Sequence, residues 1–260
     1  MSNYTYVVKM DDELYTYRIP GENAEYFVNR EIEKENIKLM EKLNLSNETI
    51  YLNTKTGEKI AKYISGVSLH QLNEYPYELV SELLKKIHNS GLIAKNDYNP
   101  LERLSNYENY VKEMGFTHSD KYKVTKEKFL SYKNFLDSFE KVLCHGDSQP
   151  SNFILNENTL YSVDFEFTGN NDLVYDIACF ANIKLSDGEK LLEVYFGKVN
   201  NELLKRFYLW RAFQALQWFN VAVFKDLQGM SAKLKIDFKV VSDKYLALAD
   251  RLIEKVENIF

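Results

Sequence analysis

The chain has 260 residues, of which 45% are hydrophobic and 27% charged, and its formal net charge is −5. These values are typical of a folded globular protein, exclude wholesale disorder and are unusual for a nucleic-acid-binding protein. No apolar run reaches the roughly 20 residues that span a bilayer, and the first residues lack the pattern of a signal peptide. We therefore expect a cytoplasmic protein without membrane or nucleic-acid partners, and composition does not define its oligomeric state.

The first 65 residues are predicted to form a β-rich region around one helix. Acidic residues between two β-prone runs are typical of a hairpin turn, and Pro20 and Gly21 end the second run. Apolar residues then recur with loosely helical spacing. In chain order, we predict strands over 4–10 and 14–19, a helix over 24–43, and strands over 50–53 and 58–64.

After residue 65 the pattern becomes mainly helical. Helices are predicted over 77–88, 101–114, 126–140, 174–181, 189–196, 202–226 and 242–259, with short strands within 142–156 and over 160–163. The fold class is therefore α+β, with a small β-rich N-lobe at residues 1–65 and a larger, mainly helical C-lobe at residues 66–260. Ligands often bind between such lobes.

The stretch from residue 143 to 178 carries the residues best suited to chemistry. Asp147 and Asn152 lie five residues apart in a polar loop, and Asp164 follows twelve residues later. Phosphoryl transfer from ATP needs one carboxylate to orient the attacking hydroxyl and accept its proton, and an amide oxygen and a second carboxylate to hold Mg²⁺. Each residue alone is ordinary in a loop, but the three together, each beside a predicted strand, indicate a phosphotransferase site.

This motif resembles that of a known superfamily. His145-Gly-Asp-x-x-x-x-Asn152, followed by Asp164-Phe-Glu, is similar to the catalytic and metal-binding segments of the aminoglycoside phosphotransferases and choline kinases, whose fold is protein-kinase-like. The string from Val163 to Ala178 resembles choline/ethanolamine kinases in particular. The N-terminal residues that resemble bacterial choline kinases are Arg18-Ile-Pro-Gly21, Asn29-Arg30, Glu33 and Asn36.

The resemblance implies a role for each matching residue. Asp147 would be the catalytic base, and Asn152 and Asp164 would bind Mg²⁺. Arg18 would contact the phosphates of ATP and pair with a glutamate on the following helix. Glu33 fits the family pattern best, with Glu31 and Glu35 as close competitors, and Ile64 would face adenine through its backbone. A surface ion pair is the alternative for Arg18 and Glu33.

Other residues would support the site or bind the substrate. His145 would orient the catalytic loop, and Asp176 would anchor it as a buried residue. Glu166 would lie near the metal or reach a cationic substrate. The trimethylammonium of choline has no donor and is recognised by aromatic faces and carboxylates, and Trp218 is the candidate contact. Trp210 lies eight residues earlier, about 80° around the helix, so one of the two tryptophans is expected in the core.

Three features depart from the family pattern. The strand and Gly-rich phosphate loop that open these kinases are absent before Tyr4, so we expect either a start placed too late in the sequence or an N-lobe truncated at its start, and ATP binding depends on which holds. No acidic residue follows Asp176 before Asp187, which weakens a choline-specific cation site. Gly146 is typical of antibiotic kinases, whereas choline kinases often have Asn there.

We therefore predict an ATP- and Mg²⁺-dependent kinase that phosphorylates a small amino alcohol, choline before ethanolamine. An aminoglycoside kinase is the second enzyme interpretation, because polycationic substrates suit an acidic groove. A pseudokinase that binds nucleotide or amine without turnover is the alternative of another class, suggested by the missing loop. Cys144 and Cys179 lie in apolar contexts and are predicted to be structural.

Overall fold

The computed structural model describes residues 3–259 and contains two compact units. The first unit comprises the chain up to Tyr98 together with Lys141–Gly197, and the second comprises Asn99–Glu140 and the chain from Lys198 onward. The lobe boundary predicted after residue 65 falls inside the first unit and stays a prediction. Residues 1 and 2, at the expected truncated start, lie outside the described residues.

The described residues form the α+β fold that the sequence predicts. The strands are β1 (Tyr4–Met10), β2 (Glu13–Ile19), β3 (Thr49–Leu52), β4 (Lys59–Lys62), β5 (Val67–Ser68), β6 (Val142–Cys144), β7 (Phe153–Asn156), β8 (Thr159–Ser162) and β9 (Gly169–Asn171). The helices are α1 (Arg30–Glu41), α2 (Tyr77–His88), α3 (Pro100–Glu113), α4 (Asp120–Ser131), α5 (Lys133–Asp137), α6 (Val174–Phe180), α7 (Leu185–Phe196), α8 (Asn201–Leu227), α9 (Met230–Leu234) and α10 (Phe238–Glu257).

The first unit begins with a four-stranded antiparallel sheet in the order β1-β2-β4-β3. Its first hairpin is confirmed as predicted, with Tyr4 opposite Ile19. Asp11 and Asp12 form the turn with φ values of 46° and 65°. Positive φ at both central residues matches the right-handed twist of the two strands. The sheet places Arg18 of β2 opposite Lys59 of β4.

Helix α1 follows the hairpin and begins later than predicted. Residues 24–26 form only a 3₁₀ turn, and the α-helix starts at Arg30. Asn29 caps it, because its Oδ1 accepts hydrogen bonds from the amides of Glu31 and Ile32 at 3.1 and 3.2 Å. An asparagine cap supplies partners to amides that have none within the helix.

Two small sheets complete the first unit. β5, β7 and β8 form one in the order β5-β7-β8, and β6 pairs with β9 in the other. Helices α2 and α7 pack on each other, and α6 lies against α7. The loops between these strands carry the chemistry-bearing residues from 145 to 168.

The second unit is helical and is built around α8. Helix α8 packs against α10, α3 and α4, and it is buried along nearly all of Arg206–Phe224. The predicted helix over 126–140 is wrong at its start, since α4 begins at Asp120 behind the Ser119 cap. Thr125 lies on the buried face between Tyr122 and Phe129, and this polar residue hides the apolar spacing. Within the described residues, no helix is long and apolar enough to cross a membrane.

Candidate active site

Asp147 lies in the loop between β6 and β7, and two side-chain amides hold its carboxylate. Gln149 Nε2 and Asn152 Nδ2 donate to Asp147 Oδ2 at 3.0 and 2.9 Å. Asn152 Nδ2 also donates to the backbone oxygen of Asp147 at 2.8 Å. Both side-chain amides therefore bond to the same oxygen, Oδ2.

The environment of Asp147 makes it more basic than an ordinary aspartate. Burial and the nearby charge of Asp164 raise the pKa of Asp147 to about 6, against the opposing hydrogen bonds from Gln149 and Asn152. A carboxylate of this pKa is still ionised at neutral pH, and it accepts a proton more readily than a free one.

The β7–β8 hairpin brings Asn152 and Asp164 to the same end of the small sheet. Phe153 pairs with Ser162, the last residue of β8. The backbone N–H of Val163, which follows β8, donates to the backbone oxygen of Asn152 at 2.9 Å. Asp164 then turns into the left-handed region with φ of 69°. Non-glycine residues hold that conformation only where surrounding contacts impose it.

Asp176 on α6 holds the start of the catalytic loop. Its carboxylate accepts hydrogen bonds from the amides of His145 at 2.8 Å and Gly146 at 2.9 Å, and from His88 Nε2 at 3.0 Å. Burial would raise the pKa of Asp176, but the His88 bond and neighbouring partners hold it below its usual range. The carboxylate is therefore a buried acceptor for three donors. His88 is a partner that the sequence analysis missed, because it is simply one more residue on the buried face of α2.

His145 is a neutral structural link within the loop. Its Nδ1 accepts the amide of Asp147 at 3.3 Å, and its Nε2 donates to Val163 O at 3.1 Å. Burial lowers the pKa of His145, so the ring carries one proton and ties the loop of Asp147 to the strand that precedes Asp164.

Arg18 and Glu33 form a buried ion pair next to Asp164. Arg18 Nη1 lies 2.6 Å from Glu33 Oε1, and its Nη2 donates to Glu33 Oε2 at 3.0 Å. Arg18 Nη1 also donates to Asp164 Oδ1 at 3.1 Å. Of the competing glutamates, Glu31 is exposed and Glu35 pairs with Lys95. The structure therefore places Glu33, and neither competitor, against Arg18.

Glu166 lies in the same cluster. Arg30 Nη1 contacts Glu166 Oε2 at 3.0 Å, and Asn3 Nδ2 lies 3.4 Å from the same oxygen. Burial and the charge of Asp164 raise the pKa of Glu166 to about 7, against the attraction of Arg18 and Arg30. The contacts of Arg30 and Asn3 were not predicted, because nothing in the local sequence links them to residue 166.

The carboxylates of this cluster fit a divalent cation. Oxygens of Glu33, Asp164 and Glu166 all lie within 4.8 Å of one another, and oxygen atoms are the ligands that Mg²⁺ prefers. All three carboxylates contact an arginine, but the Glu33 side chain is fully buried whereas that of Asp164 is 27% exposed, so Asp164 would be the carboxylate most accessible to an ion. The Asn152 side chain donates its hydrogen bonds to Asp147 through Nδ2, so its Oδ1 would be the atom that faces a cation.

Ile64 and Trp218 are the predicted contacts for adenine and choline. Ile64 is half-buried in the segment between β4 and β5, within the first unit. Trp218 belongs to the second unit, where it is half-buried and stacks on Tyr245 with a centroid distance of 6.5 Å. Trp210 is buried against Phe213 and is the core tryptophan of the two. The ligand contacts of Ile64 and Trp218 stay predictions.

Comparison with known proteins gives a consistent family. The family model described as choline/ethanolamine kinase matches residues 1–185. Protein LicA of Haemophilus influenzae is 25% identical over 245 residues, which cover 88% of this chain and 92% of that protein. Choline kinase LicA from Streptococcus pneumoniae has a TM-score of 0.77 at 23% identity, with 95% of this chain and 91% of that one covered. A structure of LicA in complex with AMP has a TM-score of 0.80 at 22% identity, with 98% and 89% covered.

The fold is kinase-like, and the family match defines a phosphotransferase that acts on an alcohol. The chain belongs to the choline/ethanolamine kinase family, whose model matches more than half of its length.

Proposed function

We propose that this protein transfers the γ-phosphate of ATP to the hydroxyl of choline, with Mg²⁺ as the required cation. The observation that carries the proposal is the Asp147 carboxylate, held by Asn152 on the loop that adjoins the Asp164 cluster. Membership of the choline/ethanolamine kinase family and the AMP complex of a related structure support the choice of nucleotide and alcohol.

In this mechanism Asp147 Oδ1 accepts a hydrogen bond from the choline hydroxyl and orients its oxygen toward the γ-phosphorus. As the new oxygen–phosphorus bond forms and the bond to the β-phosphate oxygen breaks, Asp147 takes the hydroxyl proton. The products are phosphocholine and ADP. The amide groups of Gln149 and Asn152 fix the carboxylate during this step.

Asn152 and Asp164 would hold Mg²⁺, which supplies charge neutralisation to the phosphates when bound. Burial alone would lower the pKa of Arg18. Its hydrogen bond with Glu33 and the charges of Asp164 and Glu33 outweigh burial and raise the pKa, so Arg18 stays positively charged. In the proposed function Arg18 contacts the ATP phosphates, and Ile64 faces adenine through its backbone.

Choline is favoured over ethanolamine and aminoglycosides for its chemistry. A quaternary ammonium binds by cation–π attraction, and the half-buried Trp218 ring is the candidate contact. Glu166 is the candidate carboxylate for the substrate cation or the metal. The co-substrate ATP and the free buried Cys144 and Cys179 are consistent with a cytoplasmic enzyme.

The test measures ADP release with Mg·ATP and choline, ethanolamine or an aminoglycoside as acceptor. We expect the highest kcat/KM with choline. Asp147→Asn should lower kcat by about 100- to 10,000-fold, the range for loss of a general base. Trp218→Leu should raise the KM for choline and leave the KM for ATP unchanged.

Three outcomes would contradict the proposal. Full turnover by Asp147→Asn would remove the base from the mechanism, and preference for an aminoglycoside would replace the substrate class. Binding of Mg·ATP without turnover of any acceptor would support the pseudokinase alternative.

A further inference from the structure

One face of helix α1 carries three buried polar residues. Arg30, Glu33 and Asn36 follow one another at intervals of three residues and are 8%, 0% and 2% exposed. This spacing places side chains on the same side of a helix. Glu33 has a place in the proposed function through Arg18, but Arg30 and Asn36 have none.

All three residues are tied to the short segment 164–168, which carries Asp164 and Glu166. Arg30 Nη1 contacts both Glu33 Oε2 at 2.7 Å and Glu166 Oε2 at 3.0 Å. Asn36 Nδ2 donates to the backbone oxygen of Thr168 at 2.7 Å. Glu33 is linked to Asp164 through Arg18, which contacts both carboxylates. Helix α1 is therefore connected to the start, the middle and the end of the segment.

The turn before β4 closes over the outer side of these contacts. Gly57 O accepts a hydrogen bond from Arg18 Nη2 at 3.2 Å, and a Cβ on Gly57 would lie 2.7 Å from Arg30 Nε. With a φ of 76°, Gly57 also has a backbone conformation that other residues rarely adopt. The Arg30 side chain is thus confined between this turn and Glu166.

Burying a polar group costs free energy unless it finds a hydrogen-bond partner. Apolar residues could fill the same helix face at a lower cost in folding free energy. Segment 164–168 requires such contacts, because the left-handed backbone conformation of Asp164 is strained and persists only where surrounding contacts stabilise it. The partners of Arg30 and Asn36 lie 136 and 132 residues away in sequence, so these bonds fix tertiary position.

We propose that Arg30 and Asn36 are positioning residues that clamp segment 164–168 to helix α1 and so hold Asp164 and Glu166 in place before Mg·ATP binds. This inference rests on the proposed function for the meaning of that geometry. The contact itself can be tested without any ligand.

The first test is hydrogen exchange of the unliganded protein, followed by mass spectrometry of peptides covering 163–170. Arg30→Met and Asn36→Ala should each raise exchange in this peptide by about 10-fold or more. Lys34→Met is the matched control, because Lys34 is an exposed cation one turn along the same helix from Arg30. A peptide from α6 serves as the internal reference and should keep its exchange rate.

Unchanged exchange at 163–170 in both variants would overturn the clamp, and so would an equal rise in every peptide, which indicates general destabilisation. Asn36→Ala removes only a neutral amide, so it tests the clamp even where loss of the Arg30 charge prevents folding. Arg30→Lys should restore part of the protection, since a lysine keeps the charge but lacks the planar fork of Arg30.

The second test is steady-state kinetics with choline at varied Mg²⁺. Arg30→Met and Asn36→Ala should lower kcat about 10- to 100-fold, the range for residues that support metal ligands. They should also raise the Mg²⁺ concentration for half-maximal rate. A raised choline KM with normal Mg²⁺ dependence would contradict a positioning role. Failure of the wild-type protein to phosphorylate choline would overturn the proposed function, whereas the exchange result judges the clamp separately.

Discussion

Gly146 lies where the catalytic loop passes closest to the segment that carries Asp164. Its φ is +80°, and a Cβ at this position would lie 2.0 Å from the carbonyl oxygen of Phe167. The obstacle is backbone, so it cannot rotate aside as a flexible side chain would. The positive φ and this close approach together require glycine at position 146 of this chain.

Gly146→Ala should therefore destabilise the protein and displace Asp147. We expect a loss of about 2–4 kcal/mol in the free energy of unfolding, from left-handed strain and the clash. Turnover should fall about 100-fold, because a shift of about 1 Å in a catalytic group costs that much. Urea denaturation and ADP release measure the two effects.

Gly91→Ala is the control for this prediction. Gly91 has a similar φ of +69°, but nothing lies within 4 Å of its added Cβ. It should lose only about 1 kcal/mol and keep full turnover. Equal losses in both variants would show that the contact with Phe167 does not matter.

Residues that share a local motif could be found from the sequence, and residues that meet only in the fold could not. Asp147, Asn152 and Asp164 lie within 18 residues and carry their chemistry in the spacing. Arg30 contacts a residue 136 positions away, and His88 contacts one 88 positions away. Their types and spacing carry no sign of those partners.

Helix α6 supports the catalytic loop through one residue in its first turn, Asp176. The depressed pKa of Asp176 means that its ionised form stabilises the folded state. That contribution is present above the unfolded pKa of about 3.9 and is lost as pH falls through the lower folded value.

Asp176→Asn should lower the free energy of unfolding by about 3 kcal/mol at pH 7, because buried donors of His88, His145 and Gly146 lose their charged acceptor. The difference from wild type should stay constant from pH 8 to pH 5 and shrink as pH falls below 4. Urea denaturation at several pH values measures it.

Asp137→Asn is the matched control, because Asp137 forms an exposed pair with Lys133. Exposed pairs contribute about 0–1 kcal/mol, so this variant should resemble wild type at every pH. A loss for Asp176→Asn that persists undiminished below pH 4 would contradict an ionised anchor.

At the scale of elements, the sequence predicts types better than ends. The β1–β2 hairpin is predictable because β-prone runs and the turn residues between them are local signals. The start of α1 depends on the Asn29 cap, which lies inside a run of apparently helical spacing. The start of α4 was missed because Thr125 occupies a position on its buried face.

The first unit is assembled from two separate stretches of chain, and each stretch supplies part of the site. Arg18 and Glu33 come from the first stretch, and Asp147 and Asp164 from the second. Strand β5 joins the two, with Val67 opposite Leu155 of β7. A composition change near residue 65 marks where the strands give way to helices, but composition does not reveal that the chain returns to the same unit.

Across the whole molecule, the proposed reaction transfers one phosphoryl group from ATP to the choline hydroxyl. The family model covers residues 1–185, which include the Arg18–Glu33 ion pair, the loop that carries Asp147, and the Asp164 cluster. In the proposed mechanism Asp147 orients the choline hydroxyl for this transfer.

The most direct measurement follows the phosphorus itself, by ³¹P NMR of a reaction containing the protein, Mg·ATP and choline. We predict that a phosphomonoester of choline appears in equal amount to ADP, and that it fails to appear with Asp147→Asn. Release of ADP together with inorganic phosphate, or ATP left intact while choline is present in excess, would contradict the assignment.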